Sequence, residues 1–343
     1  MKKVTLQMIA DQLQISKSLV SKALANQKGV NEETKEKVRL TAMNMGYMIN
    51  SSALSISASR TGNVAVVVPR SDLKDFEYWG RILHGIEKAL SEKSFSMILS
   101  GIDPNVATSE GLPSCVTDRK VDGALVLGAV PLAYILAIQV TGIPVVLVDV
   151  PHFVQMKLDH VLAENNLGGY DATKYLLDRN HRRIGFVGDV SYASSFAARH
   201  AGFLDAVKDF KTEREVEIEA VSFTDARGDS IIPYSLGDAD IERIRETGLT
   251  GLVCGNDPVA FEVMQSLERV GLSCPQDVSL IGFDNVQKCQ WVTPALTSID
   301  ACKETMGTRS AEMLFRRMQQ TDFRAEHVRI TTEIIERESV RSL

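Results

Sequence analysis

Val4-Thr5-Leu6-Gln7-Met8-Ile9-Ala10-Asp11-Gln12-Leu13-Gln14-Ile15-Ser16-Lys17-Ser18-Leu19-Val20-Ser21-Lys22-Ala23-Leu24 decides the reading of the N-terminal end. Leu6 to Leu13 reads as a first helix, with Thr5 placed to cap it. Gln14-Ile15 makes a short turn, and Ser16 caps a second helix from Lys17 to Leu24. At helical spacing, Lys17, Ser18, Ser21 and Lys22 fall within one arc of about 140°. Leu19, Val20, Ala23 and Leu24 fill the opposite arc. One arc packs, and the other shows two ammonium groups and two hydroxyls. Such groups donate to backbone phosphates and to the acceptor edge of guanine in a major groove. Asn31 caps a third helix, with Glu32 and Glu33 favourably placed against the helix dipole, and Gly46 suits its C-terminal stop. Spacing alone suits a three-helix protein-binding module equally well.

Charge separates the two readings. The 343-residue chain has a net charge of −6, which by itself argues against a nucleic-acid partner. Residues 1–60, however, carry nine Lys or Arg against four Asp or Glu, a net of +5, and the remainder carries −11. A basic head on an acidic body is the asymmetry expected when one small module approaches phosphate and the rest must not. Hydrophobic residues at 44% and charged residues at 24% exclude wholesale disorder. No apolar run is long enough to span a bilayer, and none follows Lys2 and Lys3 as in a secretory signal, so a cytoplasmic location is expected. Five widely spaced cysteines without a Cys-x-x-Cys read as reduced thiols.

The texture changes at Val64. Short apolar runs follow at Val64–Val68, Gly123–Leu127, Pro144–Val148, Ile184–Val187, Gly251–Cys254 and Val278–Phe283, with helical stretches such as Trp79–Glu92, Gly168–Asp178 and Pro258–Val270 between them. Continuously apolar strands belong to parallel sheets covered on both faces, and the alternation implies βαβ units. Roughly 280 residues in that pattern exceed one typical domain, which points to two α/β lobes. In open α/β sheets, ligands bind beyond the carboxyl ends of the strands. Asp149 and Asp284 directly follow such a strand, Asn256-Asp257 follows one after Gly255, and Arg199 lies in a helical stretch. A post-strand Asp or Asn can equally serve as the cap of the next helix.

Residues 4–62 resemble the DNA-binding head of the lactose-repressor/galactose-repressor (LacI/GalR) family. The matching residues are Val4-Thr5-Leu6-x-x-Ile9-Ala10, Ile15-Ser16-x-x-x-Val20-Ser21-Lys22-x-Leu24, Val30-Asn31-Glu32-Glu33-Thr34 and Gly46-Tyr47-x-x-Asn50-x-x-Ala53. The resemblance implies that Lys17, Ser18 and Lys22 reach base edges, and that Thr5, Ser16, Ser21 and Thr34 hold phosphates. It also implies a hinge over residues 50–61, with Asn50, Ala53 and Ile56 toward the minor groove and Ile56 in the place of a wedging leucine. The chain departs from the family's pattern at Gln14 (usually Gly), Leu19 (usually Thr), Lys22 (usually Arg), Ile49 (usually Pro) and Leu54 (usually Arg). Lys22 cannot form the bidentate fork of an arginine on guanine, so operator choice shifts.

The body resembles the same family through Glu164-Asn165-x-x-Gly168-Gly169, His181-Arg182-Arg183-Ile184-Gly185-Phe186, Arg199-x-x-Gly202-Phe203, Gly255-Asn256-Asp257 and Pro275–Asn285. The resemblance implies an all-α helix-turn-helix head plus an α/β body of two doubly wound lobes of periplasmic-binding-protein type. The expected domains are 1–49 (DNA-binding), 50–61 (hinge) and 62–343 (effector binding and dimerisation). The lobes are expected at about 62–162 plus 293–325 and about 163–292 plus 326–343. Asp149, Arg199, Asn256 and Asp284 are the implied effector ligands, with Phe76 and Trp291 as aromatic lining. The implied function is a sequence-specific transcriptional regulator, by default a repressor, working as a homodimer or tetramer on double-stranded operator DNA under control of a small-molecule effector. Carboxylates and an arginine around an aromatic platform suit a sugar or sugar derivative. The C-terminal run is also similar to the purine-repressor branch, which leaves a purine or nucleoside open, and some relatives respond to a phosphocarrier protein instead. No nucleotide-loop, nucleophile-elbow or zinc-protease motif occurs, so neither enzymatic activity, nor a cofactor, nor a metal, nor a membrane partner is expected.

Overall fold

The computed structural model describes residues 4–24, 29–45, 47, 60–103, 111–150, 157–225, 234–320 and 324–343. The chain divides into two units, Met1–Thr61 and Gly62–Leu343.

In the first unit, α1 spans Leu6–Leu13, α2 Lys17–Leu24 and α3 Glu32–Asn44. Side chains cap each start, as the sequence predicts. The Met8 amide donates to Thr5 Oγ1 (3.4 Å), the Leu19 amide to Ser16 Oγ (3.1 Å) and the Thr34 amide to Asn31 Oδ1 (2.7 Å). The first helix ends at Gln14, which sits in the left-handed region at φ 52° and ψ 41°. Ile9, Ala10, Val20, Ala23, Val38 and Ala42 are among the residues of its small apolar core. Asn50, Ala53 and Ile56, like the proposed stop at Gly46, lie outside the described residues.

In the second unit the strands and helices alternate. The first lobe contains β1 (Asn63–Pro69), α4 (Phe76–Glu92), β2 (Ser96–Ile102), α5 (Ser114–Thr117), β3 (Gly123–Leu127), α6 (Leu132–Val140), β4 (Val145–Val148) and β5 (Asp159–Ala163). There follow α7 (Asn165–Asp178), β6 (Arg183–Val187), α8 (Ser194–Arg214), β7 (Glu219–Phe223), α9 (Asp238–Thr247), β8 (Gly251–Cys254), α10 (Asp257–Arg269) and β9 (Ser279–Phe283). The chain closes with β10 (Thr297–Asp300), α11 (Lys303–Gln319), β11 (His327–Ile330) and β12 (Glu333–Ile335).

Two six-stranded sheets result, in the orders β11-β5-β4-β3-β1-β2 and β12-β10-β9-β8-β6-β7. Among the described residues, every pairing is parallel except that of β12 with β10. The central strands β1, β3, β4, β8 and β9 are buried on both faces almost throughout, which explains why they read as unbroken apolar runs.

The expected lobe bounds need correction at the C-terminal end. The expected first lobe includes residues 293–325, but β10 pairs with β9 in the second sheet. The expected second lobe includes residues 326–343, but β11 pairs with β5 in the first sheet, with His327 opposite His160. The chain therefore crosses between sheets between β5 and α7, between β10 and α11, and between β11 and β12. Thr-Ser-Ile-Asp and His-Val-Arg-Ile carry no apolar run, so tertiary pairing rather than local pattern sets their sheet.

Candidate DNA-reading face and effector cleft

On α2, Lys17, Ser18, Ser21 and Lys22 are all exposed, while Val20, Ala23 and Leu24 are buried and Leu19 is half-buried. Thr5 and Ser16 are exposed at the starts of α1 and α2, and Thr34 is half-buried in the first turn of α3. Ser16 and Ser18 hydroxyls lie 3.0 Å apart. The helix thus presents one continuous polar stripe of donors, with both ammonium groups on it.

In the body, three of the sequence-predicted polar residues, Asp149, Arg199 and Asp284, converge beyond the carboxyl ends of the strands. Asp149 prolongs β4 by one ladder bond, its amide donating to Val161 O, then turns at φ 50°. Asp284 prolongs β9 in the same way, its amide donating to Ile299 O, then turns at φ 104°. Among the described residues, neither aspartate caps a helix. Asn256 does: its Oδ1 accepts the Val259 amide (3.0 Å) at the start of α10, so its side chain has a structural duty at that atom.

Arg199 is the centre of the cluster. It lies in α8, 3% exposed, and is held on three sides. Nε donates to Asn165 Oδ1 (2.9 Å), Nη1 to Gly255 O (2.6 Å) and Nη2 to Asp284 Oδ1 (3.2 Å). The guanidinium lies 3.6 Å above the Phe283 ring. A buried arginine so fixed is a preorganised planar donor. Burial raises the Asp284 carboxyl above the ordinary range, while Arg199 and then Lys303 pull it back. Burial likewise raises Asp149, opposed by the Tyr78 hydrogen bond and by Arg199.

Three residues outside the predicted set complete the cluster. Tyr78 of α4 donates its hydroxyl to Asp149 Oδ2 (2.7 Å). Burial, with Asp149 next, holds the Tyr78 phenol well above its ordinary value, so it stays a donor. Asn165 orients Arg199. Lys303, fully buried at the start of α11, donates Nζ to Asp284 O and lies 5.5 Å from the Tyr78 ring. The lobes are joined at the same edge, where the Gln287 amide donates to Glu77 Oε2 (3.0 Å). Phe76 and Trp291 are 75% and 69% exposed, so neither ring is packed as a wall of the cluster. Tyr78 and Trp79, packed edge to face, are buried, as is the Phe283 ring under Arg199.

Two further residues brace the site. Asp257, fully buried, accepts the Ser298 hydroxyl (2.6 Å) and the Val286 amide (2.8 Å). Ser298 Oγ in turn accepts the Asn285 amide (3.0 Å). Asp257 thereby clamps the turn that carries Asp284, and burial, then Asp284, pushes its carboxyl up to about 7.

Comparison with known proteins follows this geometry. Residues 173–340 match the model of a periplasmic binding protein-like domain. Over 339 residues the chain is 27% identical to the HTH-type transcriptional repressor PurR of Pectobacterium carotovorum subsp. carotovorum, covering 98% of this chain and 96% of that one. Identity to the PurR of an Escherichia coli O139:H28 strain is 28% over 340 residues, with the same coverage. Along nearly its whole length the chain is similar to transcriptional regulators of the LacI/GalR type. Among solved structures, the lac repressor dimer bound to operator and the anti-inducer ONPF superposes with a TM-score of 0.76 at 19% identity, covering 99% of this regulator and 100% of that chain. The complex of the transcriptional regulator CelR with cellobiose gives 0.67 at 24%, covering 98% and 100%. Both share the fold of the regulator, a helical head followed by the two-lobed α/β body. No group of three or more His, Cys, Asp or Glu among the described residues is placed to hold a metal ion. No helix among them is long and apolar enough to cross a membrane.

Proposed function

We propose that the regulator acts as a homodimer whose two heads read the half-sites of a pseudo-palindromic operator, and whose operator affinity is set by a purine base or nucleoside in the body. Lys17, Ser18 and Lys22 contact base edges, and Thr5, Ser16, Ser21 and Thr34 hold phosphates. In the hinge, Asn50, Ala53 and Ile56 enter the minor groove. Asp149, Arg199, Asn256 and Asp284 bind the effector, with Phe76 and Trp291 at the cleft mouth. Expulsion or capture of ligand changes the relative angle of the lobes and so biases pairing of the hinges.

The observation that carries this reading is Arg199, buried and stacked on Phe283 while bonded to Asp284, beside Asp149 and Tyr78 of the other lobe. A ligand that replaces any of these contacts alters how the lobes meet. The purine assignment is supported by the near full-length similarity to the PurR repressors. Calorimetry with hypoxanthine, guanine, adenine and inosine, set against ribose, cellobiose and a phosphorylated phosphocarrier protein, tests it. Heat from a purine, with a matching change in operator affinity, is the expected result. A response only to a sugar or only to the carrier would replace the purine assignment and leave DNA binding standing.

A further inference from the structure

At the start of α2, the serines on either side of Lys17 are hydrogen-bonded to each other, and this limits what each can offer to DNA. A serine hydroxyl has one proton to donate and two lone pairs with which to accept. Ser16 Oγ uses one lone pair on the Leu19 amide (3.1 Å), the bond that caps the helix. Its proton and its second lone pair remain. Ser18 Oγ lies 3.0 Å away, and from that distance either oxygen can be the donor. Both side chains are exposed, and among the described residues neither hydroxyl has a further protein partner. A backbone phosphate removes the ambiguity. Its oxygens only accept, so a Ser16 hydroxyl that holds a phosphate gives its single proton to it. The lone pair left on Ser16 then has one use in the pair, to receive the Ser18 proton. Ser18 is left with lone pairs, and no proton, for the groove. In the major groove guanine shows N7 and O6 and thymine shows O4, all acceptors, whereas adenine shows an N6 amine and cytosine an N4 amine.

We propose that Ser18 reads its base as a hydrogen-bond acceptor, so that the base facing it in each half-site carries an amine, adenine or cytosine, and is neither guanine nor thymine. Ser16 is the positioning residue that sets this polarity through its own bond to phosphate. The proposal rests on the reading of Ser16 as a phosphate contact and Ser18 as a base contact. It divides the exposed stripe of α2 by hydrogen-bond sign. The Lys17 and Lys22 ammonium groups can only donate and suit guanine acceptors, whereas Ser18, between them in sequence, can only accept once Ser16 is on phosphate.

Operators selected by the full-length regulator from random duplexes, then varied one base pair at a time, supply the test. The position whose preference is lost in Ser18→Ala is expected to favour adenine and cytosine over guanine and thymine by at least about fivefold, the worth of one hydrogen bond. Replacing the preferred base by its analogue without the amine, purine for adenine or 2-pyrimidinone for cytosine, is expected to weaken binding of the wild type by about fivefold and of Ser18→Ala not at all. In Ser16→Ala the Ser18 proton is released to the groove, and the amine preference is expected to vanish or to pass to guanine and thymine. Ser16→Thr, which keeps the hydroxyl and the cap, is expected to retain it. Comparing bases within one variant cancels any loss of head stability, which is common to all sequences. A wild-type preference for guanine or thymine at the Ser18 position overturns the assigned polarity and leaves the base contact standing. An amine preference unchanged in Ser16→Ala overturns the role of Ser16. A Ser18→Ala variant with no altered position overturns the base contact itself, and the proposal with it.

Discussion

Gln14 shows what a single backbone position costs. It occupies φ 52°, where an L side chain crowds the carbonyl and glycine does not. The Gln14→Gly variant is expected to stabilise the head by roughly 0.5–1 kcal/mol, the relief of strain outweighing the added freedom of the unfolded chain. Urea unfolding of the two forms measures this, and an unchanged or lower midpoint contradicts it. Lys17→Ala and Lys22→Ala are each expected to weaken specific operator binding by about 1–3 kcal/mol if the ammonium group meets a base. Equal losses on random DNA would reassign both to phosphate. Arg199→Ala is expected to abolish the effector response while operator binding persists, as measured by anisotropy with and without ligand. Asp149, Arg199 and Asp284 were legible in the sequence because they follow apolar strands or sit in a matching motif. Tyr78 was not, since its partner Asp149 is 71 residues away and only the folded lobe brings them together. Asp257 was visible only as a neighbour of Asn256. Its clamp on Val286 and Ser298 is a tertiary fact.

Among elements, the site depends on how closely α8 lies on α7. A Cβ on Gly169 would fall 2.1 Å from Arg199 O, and one on Gly202 would fall 1.9 Å from Asn166 O. The helices therefore touch backbone to backbone at the residue that carries the guanidinium. Gly169→Ala or Gly202→Ala must separate them, at a cost of about 1–3 kcal/mol typical of overpacking, and must shift Arg199 from Asn165. Loss of effector affinity beyond the stability loss is expected; full affinity would show that α8 does not set the position of Arg199. A second element-level effect lies in β5. Burial, with His327 and then Arg329, lowers His160 to about 4, and its Nε2 accepts the Val150 amide (3.3 Å), which requires the neutral ring. The unfolded chain takes up that proton near its ordinary value and the folded one does not. The His160 contribution is thus intact above about pH 6.5 and is lost as pH falls toward about 4. The gap in unfolding free energy between wild type and His160→Gln is expected to shrink over that window, and a pH-independent gap would refute the assignment. The strands that the sequence revealed were the doubly buried ones, β1, β3, β4, β6, β8 and β9. The half-exposed edge strand β2 and the short, polar β10 and β11 carry no comparable apolar run, and only pairing identifies them.

For the whole molecule, the legible feature was the division of labour. A head of net charge +5 precedes a body of −11, and the structure separates the chain into units at Thr61 and Gly62, where that division falls. The basic unit displays the α2 stripe, and the acidic unit encloses the Arg199 cluster. Because lysines on the head neutralise phosphates, operator affinity is expected to fall steeply and log-linearly with salt. The most direct test is competition: the full-length regulator, with and without purines, is offered genomic fragments against excess bulk DNA. The account predicts retention of a discrete set of fragments whose occupancy changes with ligand and is abolished when Lys17, Ser18 and Lys22 are replaced together by alanine. Retention of no fragment above competitor under any ligand condition, or retention that survives that triple replacement, would contradict it.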